Sequence, residues 1–405
     1  MRTRYGVSPW IESFPSSRRP DYQRLRGEHT ADVVIVGGGL TGCATAYACA
    51  AAGLRPVVLE AGRIGWGSAG RSAGLLLSDP GVAFKDIAKA HGLRAARRIY
   101  EGYRKASLDA ASILRRLNIR CDLQSCDDVV VGIRDGEKNL QRERDARADA
   151  GLDAKWISAQ SARASMALDA VGAFKPGPGF TLDPYRACLG LASAARSRGG
   201  ILFERSPVKK VRAGQKQVDV ILDGGVIHAD KVIVTTGIAT AEFKPLRRHF
   251  KTRETYLVLT EPLPSPMRKQ LGDDGLTIRD MASPRHRIRR TKDSRLLIAG
   301  GDRDESPARQ REALRVQRTG QLMYELLMMY PAISGLQPEY GWEMVYGDTA
   351  DGLTYIGPHR NYPRHLFALG GSGDSVTSAF LASRILARAA RGDLDKADEV
   401  FGWTR

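Results

Sequence analysis

Ala31-Asp32-Val33-Val34-Ile35-Val36-Gly37-Gly38-Gly39-Leu40-Thr41-Gly42 decides the fold. Residues 33–36 are apolar and β-branched without alternation, the pattern of a parallel strand covered on both faces. Gly37, Gly39 and Gly42 complete a Gly-x-Gly-x-x-Gly turn that opens the Ala-rich run Cys43 to Ala52. Pro56-Val57-Val58-Leu59 is a second buried strand, and Glu60 closes it eighteen positions after Gly42. Strand, glycine turn, helix, strand and terminal acid at these spacings define a dinucleotide-binding βαβ unit.

Each part has a physical task. Gly37 makes the tight turn, Gly39 lets backbone approach a pyrophosphate, and Gly42 lets the helix pack closely on the strand. The helix N-terminus at Leu40 and Thr41 offers N–H groups and a positive dipole end to the phosphates. Glu60 can accept hydrogen bonds from ribose hydroxyls and repels a 2′-phosphate, so FAD or NAD is expected and NADP is not.

The chain has 405 residues, enough for two domains or one large discontinuous one. Hydrophobic residues make up 42% and charged ones 26%, as in ordinary globular proteins. The net charge is +17, yet the basic residues spread from Arg2 to Arg405, with one knot at Arg285-His286-Arg287-Ile288-Arg289-Arg290. Nucleic-acid binding would concentrate them on one element. Cys43, Cys49, Cys121, Cys126 and Cys188 are odd in number and form no C-x-x-C pair, so neither a disulfide framework nor a metal site is expected, and a reducing cytoplasm fits. The N-terminus has no apolar leader, and no long apolar run suggests a membrane span.

Residues 1–27 read as an extension laid over the surface, with Trp10 and Phe14 as anchors. Gly62, Gly65, Gly67, Gly70 and Gly74 mark an irregular loop in close contact with something flat or charged. From Phe84 to Leu117, apolar steps of three and four predict one long amphipathic helix. Residues 137–150 predict a helix with a solvated, charged face. Gly177-Pro178-Gly179 is expected to break the chain, and Asp183 to begin a helix. Val218–Leu222 and Val226–His228 form a hairpin at Asp223-Gly224-Gly225. Lys231–Gly237 is another parallel-type strand, and Leu366 to Asp374 is a third strand running into a glycine turn. Residues 252–302 are mostly strands, and 307–329 a helix.

These motifs together resemble the FAD-dependent oxidoreductases of the D-amino-acid oxidase superfamily, the group of glycine and sarcosine oxidases and γ-glutamylputrescine oxidoreductase-like proteins. The likeness covers about residues 8–395. Gly67-Ser68-Ala69-Gly70-Arg71-Ser72-Ala73-Gly74 is similar to that family's flavin-side loop, with Ser72 and Ala73 in place of Asn and Gly. Trp342 through Gly357 is similar to its Thr-x-Asp-x-x-Pro-x-x-Gly motif, with Thr354 where Pro is usual. Gly370-Gly371-Ser372-Gly373 is similar to its C-terminal flavin loop.

The resemblance implies an α/β fold, a Rossmann-like FAD/NAD(P)-binding domain with an inserted antiparallel-sheet substrate domain of α+β type. The expected FAD-binding segments are 28–84, 176–242 and 340–395, and the substrate segments 85–175 and 243–339. Beside the first turn, it implies FAD contacts at Glu60, Ala61, Gly67, Ser68, Gly70, Arg71 and Ser72. Val208, Thr236 and Gly237 would add to these, with Gly371, Ser372, Gly373, Asp374, Ser375 and Val376 at the last turn. Met344 stands near where some relatives carry a flavin-linked Cys, so FAD is expected to be non-covalent. The strand Leu296-Leu297-Ile298-Ala299 lacks the Lys that helps sarcosine oxidases react with oxygen, which leaves the electron acceptor open.

The implied reaction is oxidation of an amine or amino-acid C–N bond by hydride transfer to flavin N5, giving an imine that hydrolyses. Arg71, Arg253, Tyr256, Arg287 and Arg289 are the candidates for work on substrate, since Arg holds a carboxylate bidentately. At period two, Arg287 and Arg289 share one face and His286 and Arg290 the other, and His286 reads as a surface residue. The competing readings are an NAD-linked dehydrogenase, a non-catalytic or electron-relay flavin subunit, and a nucleic-acid binder. The expected partner is a small-molecule amine or amino-acid substrate, with no nucleic acid; a homo-oligomer or an electron-acceptor partner is compatible with the sequence.

Overall fold

The computed structural model describes residues 2–405 except 153, 283, 372 and 374. The run 33–36 ends the strand Gly27–Val36, which lies between the parallel strands Pro56–Leu59 and Gly225–Gly237. Ile201–Phe203 and Tyr362–Leu369 extend this sheet in parallel on either side, and Tyr355–His359 closes one edge antiparallel. Val33 and Ile35 point into one core, with the helices Leu40–Ala51, Pro184–Arg196 and Ser375–Arg391. Val34 and Val36 point into another, against Val218, Val220 and Phe367. Both faces are covered, which is why no polar residue alternates in the run.

The second sheet is ten-stranded among the described residues and mostly antiparallel. Its centre is Lys251–Thr260, Leu296–Asp304, Arg287–Arg290 and Leu276–Asp280, flanked by Pro338–Asp348 and Gln124–Gly132. Leu75–Leu76, Gly172–Thr181 and Pro338–Asp348 all belong to it. Each of the three segments expected for nucleotide binding therefore lends a strand to the other sheet.

Five local expectations change. Gly177-Pro178-Gly179 does not break the chain: it lies inside the strand Gly172–Thr181, and a register shift opposite, between Asp128 and Val130, absorbs the irregularity while Gly177 takes φ +140°. The long helix divides at Gly92, φ +83°, into Phe84–His91 and Leu93–Arg116. The runs 226–228 and 231–237 are one strand, held straight by its long parallel partner Gly27–Val36.

The helix Glu137–Asp149 is not simply a solvated face. Glu143 and Arg147 are buried, and Glu143 accepts hydrogen bonds from the Phe84 and Lys85 N–H groups, capping the next-door helix. His286 is not at the surface either; its ring bridges Asp280 (2.6 Å) and Glu325 (3.0 Å), whose charges raise its pKa against the lowering effect of burial.

A buried charge network joins the loop after Leu76 to the second sheet. The Arg279 guanidinium donates to both Asp79 and Asp128, and Arg147 donates to Asp79, to Glu143 and to the Tyr100 hydroxyl. No helix of the described residues is long and apolar enough to cross a membrane.

Candidate functional site

The glycine turn is built to approach something closely. Gly37 has φ +108°, and a Cβ on Gly42 would lie 1.9 Å from the Gly37 carbonyl oxygen, so helix and strand touch through bare backbone. A Cβ on Gly39 would meet nothing within 4 Å: that side faces open space. Gly39 is also the N-cap of the helix Leu40–Ala51, and no side chain caps it. An uncapped helix N-terminus against empty space is a site for an anion. Glu60 accepts from the Gly38 N–H and the Gly62 N–H, each at 2.7 Å, which fixes its carboxylate while leaving lone pairs on both oxygens for hydroxyl donors.

Gly37, Gly39, Leu40 and Thr41 line a cavity of about 360 Å³, with Glu60 and Ala61. Gly67 and Ser68 form one wall, and Val208, Thr236 and Gly237 another. Three glycine turns far apart in sequence are stitched together around it. Thr235 Oγ1 donates to the Val36 and Gly37 carbonyls, Gly370 N–H donates to Gly237 O (2.8 Å), and Gly371 N–H donates to Gly347 O (2.9 Å). Gly371 (φ +141°) and Gly373 (φ +85°) hold the last turn, Ser375 opens the helix after it, and Val376 is buried in the core. Ser372 and Asp374 lie outside the described residues. The chemistry of this donor set fits a dinucleotide such as FAD: helix N–H groups for pyrophosphate and a placed carboxylate for ribose.

The other predicted loop residues do not line this cavity. A Cβ on Gly70 would meet Ile11 at 2.9 Å, and Ser72 Oγ bonds within its own turn to Ala69 O and Gly74 N. The Arg71 guanidinium donates to Glu343 O (3.2 Å).

On the far side of Gly373, whose missing Cβ would sit 3.3 Å from the Tyr346 ring, a second cavity of about 580 Å³ opens. Arg253, Arg287 and Arg285 line it, with Asp302, Asp348 and Tyr346. Of the residues predicted for substrate, Arg253 and Arg287 meet here. Arg253 donates to Asp302 O (3.4 Å) and lies 3.8 Å from Asp348 Oδ2. Its Nε, and Oδ1 of Asp302, are buried without a partner among the described residues. Burial pushes the Asp348 carboxyl up; Arg253 partly offsets this and Asp302 adds to it.

Arg289 and Tyr256 are not brought to this cavity. Arg289 lies further along its strand beneath the Trp10 ring (5.1 Å), donating to Leu182 O, and burial pushes its guanidinium down to about 10. Tyr256 is on the opposite face of the sheet in the core of Val258, Ile298 and Leu322, its hydroxyl donating to Glu254 (2.5 Å). Sequence reasoning missed Tyr346, Asp302, Asp348 and Arg285. Tyr346 was within reach: it lies two positions beyond Met344 on an extended strand, hence on the same face.

Residues 32–389 match the model of the FAD dependent oxidoreductase (DAO) family, and the chain belongs to that family. Its members bind FAD and act as oxidoreductases on amines and amino acids. The chain is 27% identical over 386 residues to γ-glutamylputrescine oxidoreductase of Escherichia coli (strain K12), covering 93% of this chain and 87% of that one. It is 23% identical over 383 residues to glycine oxidase of Bacillus licheniformis, covering 91% and 95%. Its fold is similar to the crystal structure of glycine oxidase from Geobacillus kaustophilus, with a TM-score of 0.76 at 20% identity over 93% of this chain and 99% of that one.

Proposed function

We propose that the chain oxidises the C–N bond of an amine that also carries a carboxylate. The observation that supports this is the second cavity, where the guanidiniums of Arg253, Arg285 and Arg287 stand together with the carboxylates of Asp302 and Asp348 beside the last glycine turn. Bound FAD would supply the two-electron acceptor for oxidation of the C–N bond to an imine, which water would hydrolyse to a carbonyl compound and an amine or ammonia.

The residues do the positioning. Arg253 and Arg287 bind the carboxylate. Asp302 and Asp348 accept from the ammonium group, and the raised Asp348 carboxylate takes its proton, leaving the nitrogen lone pair that the oxidation needs. Tyr346 closes the cavity toward Gly373.

The proposed FAD contacts are those that line the first cavity, together with the backbone of Gly371 and Gly373. The strand Pro338–Asp348 carries no cysteine, with Met344 where some relatives carry a flavin-linked one, which supports FAD held without a covalent bond. The five unpaired thiols also suit a reducing, cytoplasmic setting. The segments 28–84, 176–242 and 340–395 form the FAD-binding part and 85–175 with 243–339 the substrate part, 1–27 being an extension.

The test is an anaerobic screen. Purified flavoprotein is mixed with amines and amino acids, beginning with γ-glutamylputrescine and glycine from the names of its relatives, and loss of flavin absorbance is read. Bleaching by a carboxylated amine, with release of a carbonyl product, supports the proposal; bleaching only by amines without a carboxylate overturns it. With the substrate in hand, Arg253→Met is expected to raise its KM about 10- to 150-fold, the loss of one hydrogen bond to a charged group at about 1.5–3 kcal/mol. FAD affinity should stay unchanged, as a flavin fluorescence titration would read.

A further inference from the structure

Three consecutive carbonyls of the loop beside the proposed flavin site are each held by a side chain from elsewhere. Gly70 O accepts from Ser8 Oγ, Arg71 O from Trp342 Nε1 (2.8 Å), and Ser72 O from Trp10 Nε1 (3.0 Å). Two of the three donors come from the N-terminal extension. A helix of four residues, Pro9–Glu12, has no stability of its own. The extension is instead tied down at several points: Arg4–Tyr5 pairs in parallel with Tyr340–Gly341, Arg19 donates to Ile11 O (2.6 Å), and Phe14 packs edge-on against Tyr185. Trp10 is gripped from below by the buried Arg289 guanidinium, whose Nε has no partner among the described residues.

In a trans peptide the N–H points opposite to the C=O. Fixing Ser72 O on Trp10 therefore aims the Ala73 N–H away from the extension. Ala73 is only 5% exposed, and its N–H meets no acceptor among the described residues. A buried backbone N–H is rarely left without an acceptor.

We infer that Trp10 is a positioning residue for the cofactor: it sets the Ser72–Ala73 peptide so that the Ala73 N–H donates to an acceptor atom on the edge of the flavin ring. This rests on FAD lying against the 67–74 loop. A fixed donor on that edge is stronger toward the reduced, more negative ring, so it raises the potential as well as the affinity.

Trp10→Phe keeps the ring over Arg289 and removes only the N–H. Titration of FAD into the stripped protein should show about 3- to 10-fold weaker binding. The flavin midpoint potential should move to more negative values and the visible band of the bound flavin should shift. The melting temperature of the stripped protein should change little. Ala73→Pro removes the donor itself. Ser72, at φ −73° and ψ +165°, is already in the conformation that a residue before proline takes. The same two flavin readouts should move the same way, and this variant carries the test if Trp10→Phe does not fold. Parental affinity and potential in both variants would overturn the inference while leaving FAD binding intact. A parent chain that takes up no FAD would instead overturn the reading of the nucleotide site.

Discussion

A Gly39→Ala chain is expected to fold and melt like its parent when stripped of FAD, yet to bind FAD about 5- to 150-fold more weakly. The new methyl meets no protein atom within 4 Å, and the residue's backbone, φ −75° and ψ −174°, suits alanine. Its only neighbour would be the pyrophosphate, and an intruding methyl in a close-packed contact costs about 1–3 kcal/mol. Gly42→Ala behaves differently. Its methyl would lie 1.9 Å from Gly37 O and 2.9 Å from Thr235 Oγ1, so the helix must move off the strand before any ligand arrives. That variant loses both melting temperature and FAD. Fluorescence quenching of added FAD, set beside thermal melts of the apoproteins, separates the two cases. Tight FAD binding by Gly39→Ala would mean that the phosphates do not lie against this turn.

The contrast also explains what the sequence discloses. Backbone-defined features are written locally: glycine spacing, an unbroken β-branched run and a terminal acid fix the 31–60 unit within thirty residues. The lining of the first cavity was legible for that reason, down to Glu60 and the Thr236–Gly237 turn. The second cavity was not. Its members come from separate strands of a mostly antiparallel sheet, and each strand alone says only that Arg253 or Arg287 faces one side. Which side is decided by packing: Tyr256 went to the core of the far face because Val258 and Leu322 lie there, and Arg289 slid beneath Trp10 from an extension far away in sequence. Glu143 and Arg147 show the same limit. They read as an ordinary i,i+4 surface pair, and burial came from the Phe84–His91 helix, which needs the Glu143 carboxylate as its cap.

Removing Arg279 is expected to cost about 3–5 kcal/mol of stability near neutral pH, the ordinary loss when one partner of a buried ion pair goes. Arg279→Met keeps much of the volume and leaves the fully buried Asp128 carboxylate with the Thr277 hydroxyl at 3.3 Å as its one side-chain hydrogen-bond partner among the described residues. The pH dependence identifies the cause. In the parent, burial pushes the Asp79 carboxyl up, but Arg279 and Arg147 more than offset this and hold it well below the usual carboxylate range. That contribution is present above the unfolded-state value of about 4 and is lost as pH falls further, through the lower folded value. Asp128 already sits high in the parent, because burial outweighs Arg279. Without Arg279 it rises further, and a raised folded pKa gives stability that is lost as pH climbs through it. The deficit of the variant should therefore be largest near pH 8 and shrink toward pH 5. Urea melts of parent and variant across that range read it directly. A deficit that stays constant with pH would assign the loss to packing and not to an uncompensated carboxylate. Because the network anchors the loop after Leu76, and Val82 and Asp86 of the following segment line the second cavity, the variant should also lose substrate affinity before it loses FAD.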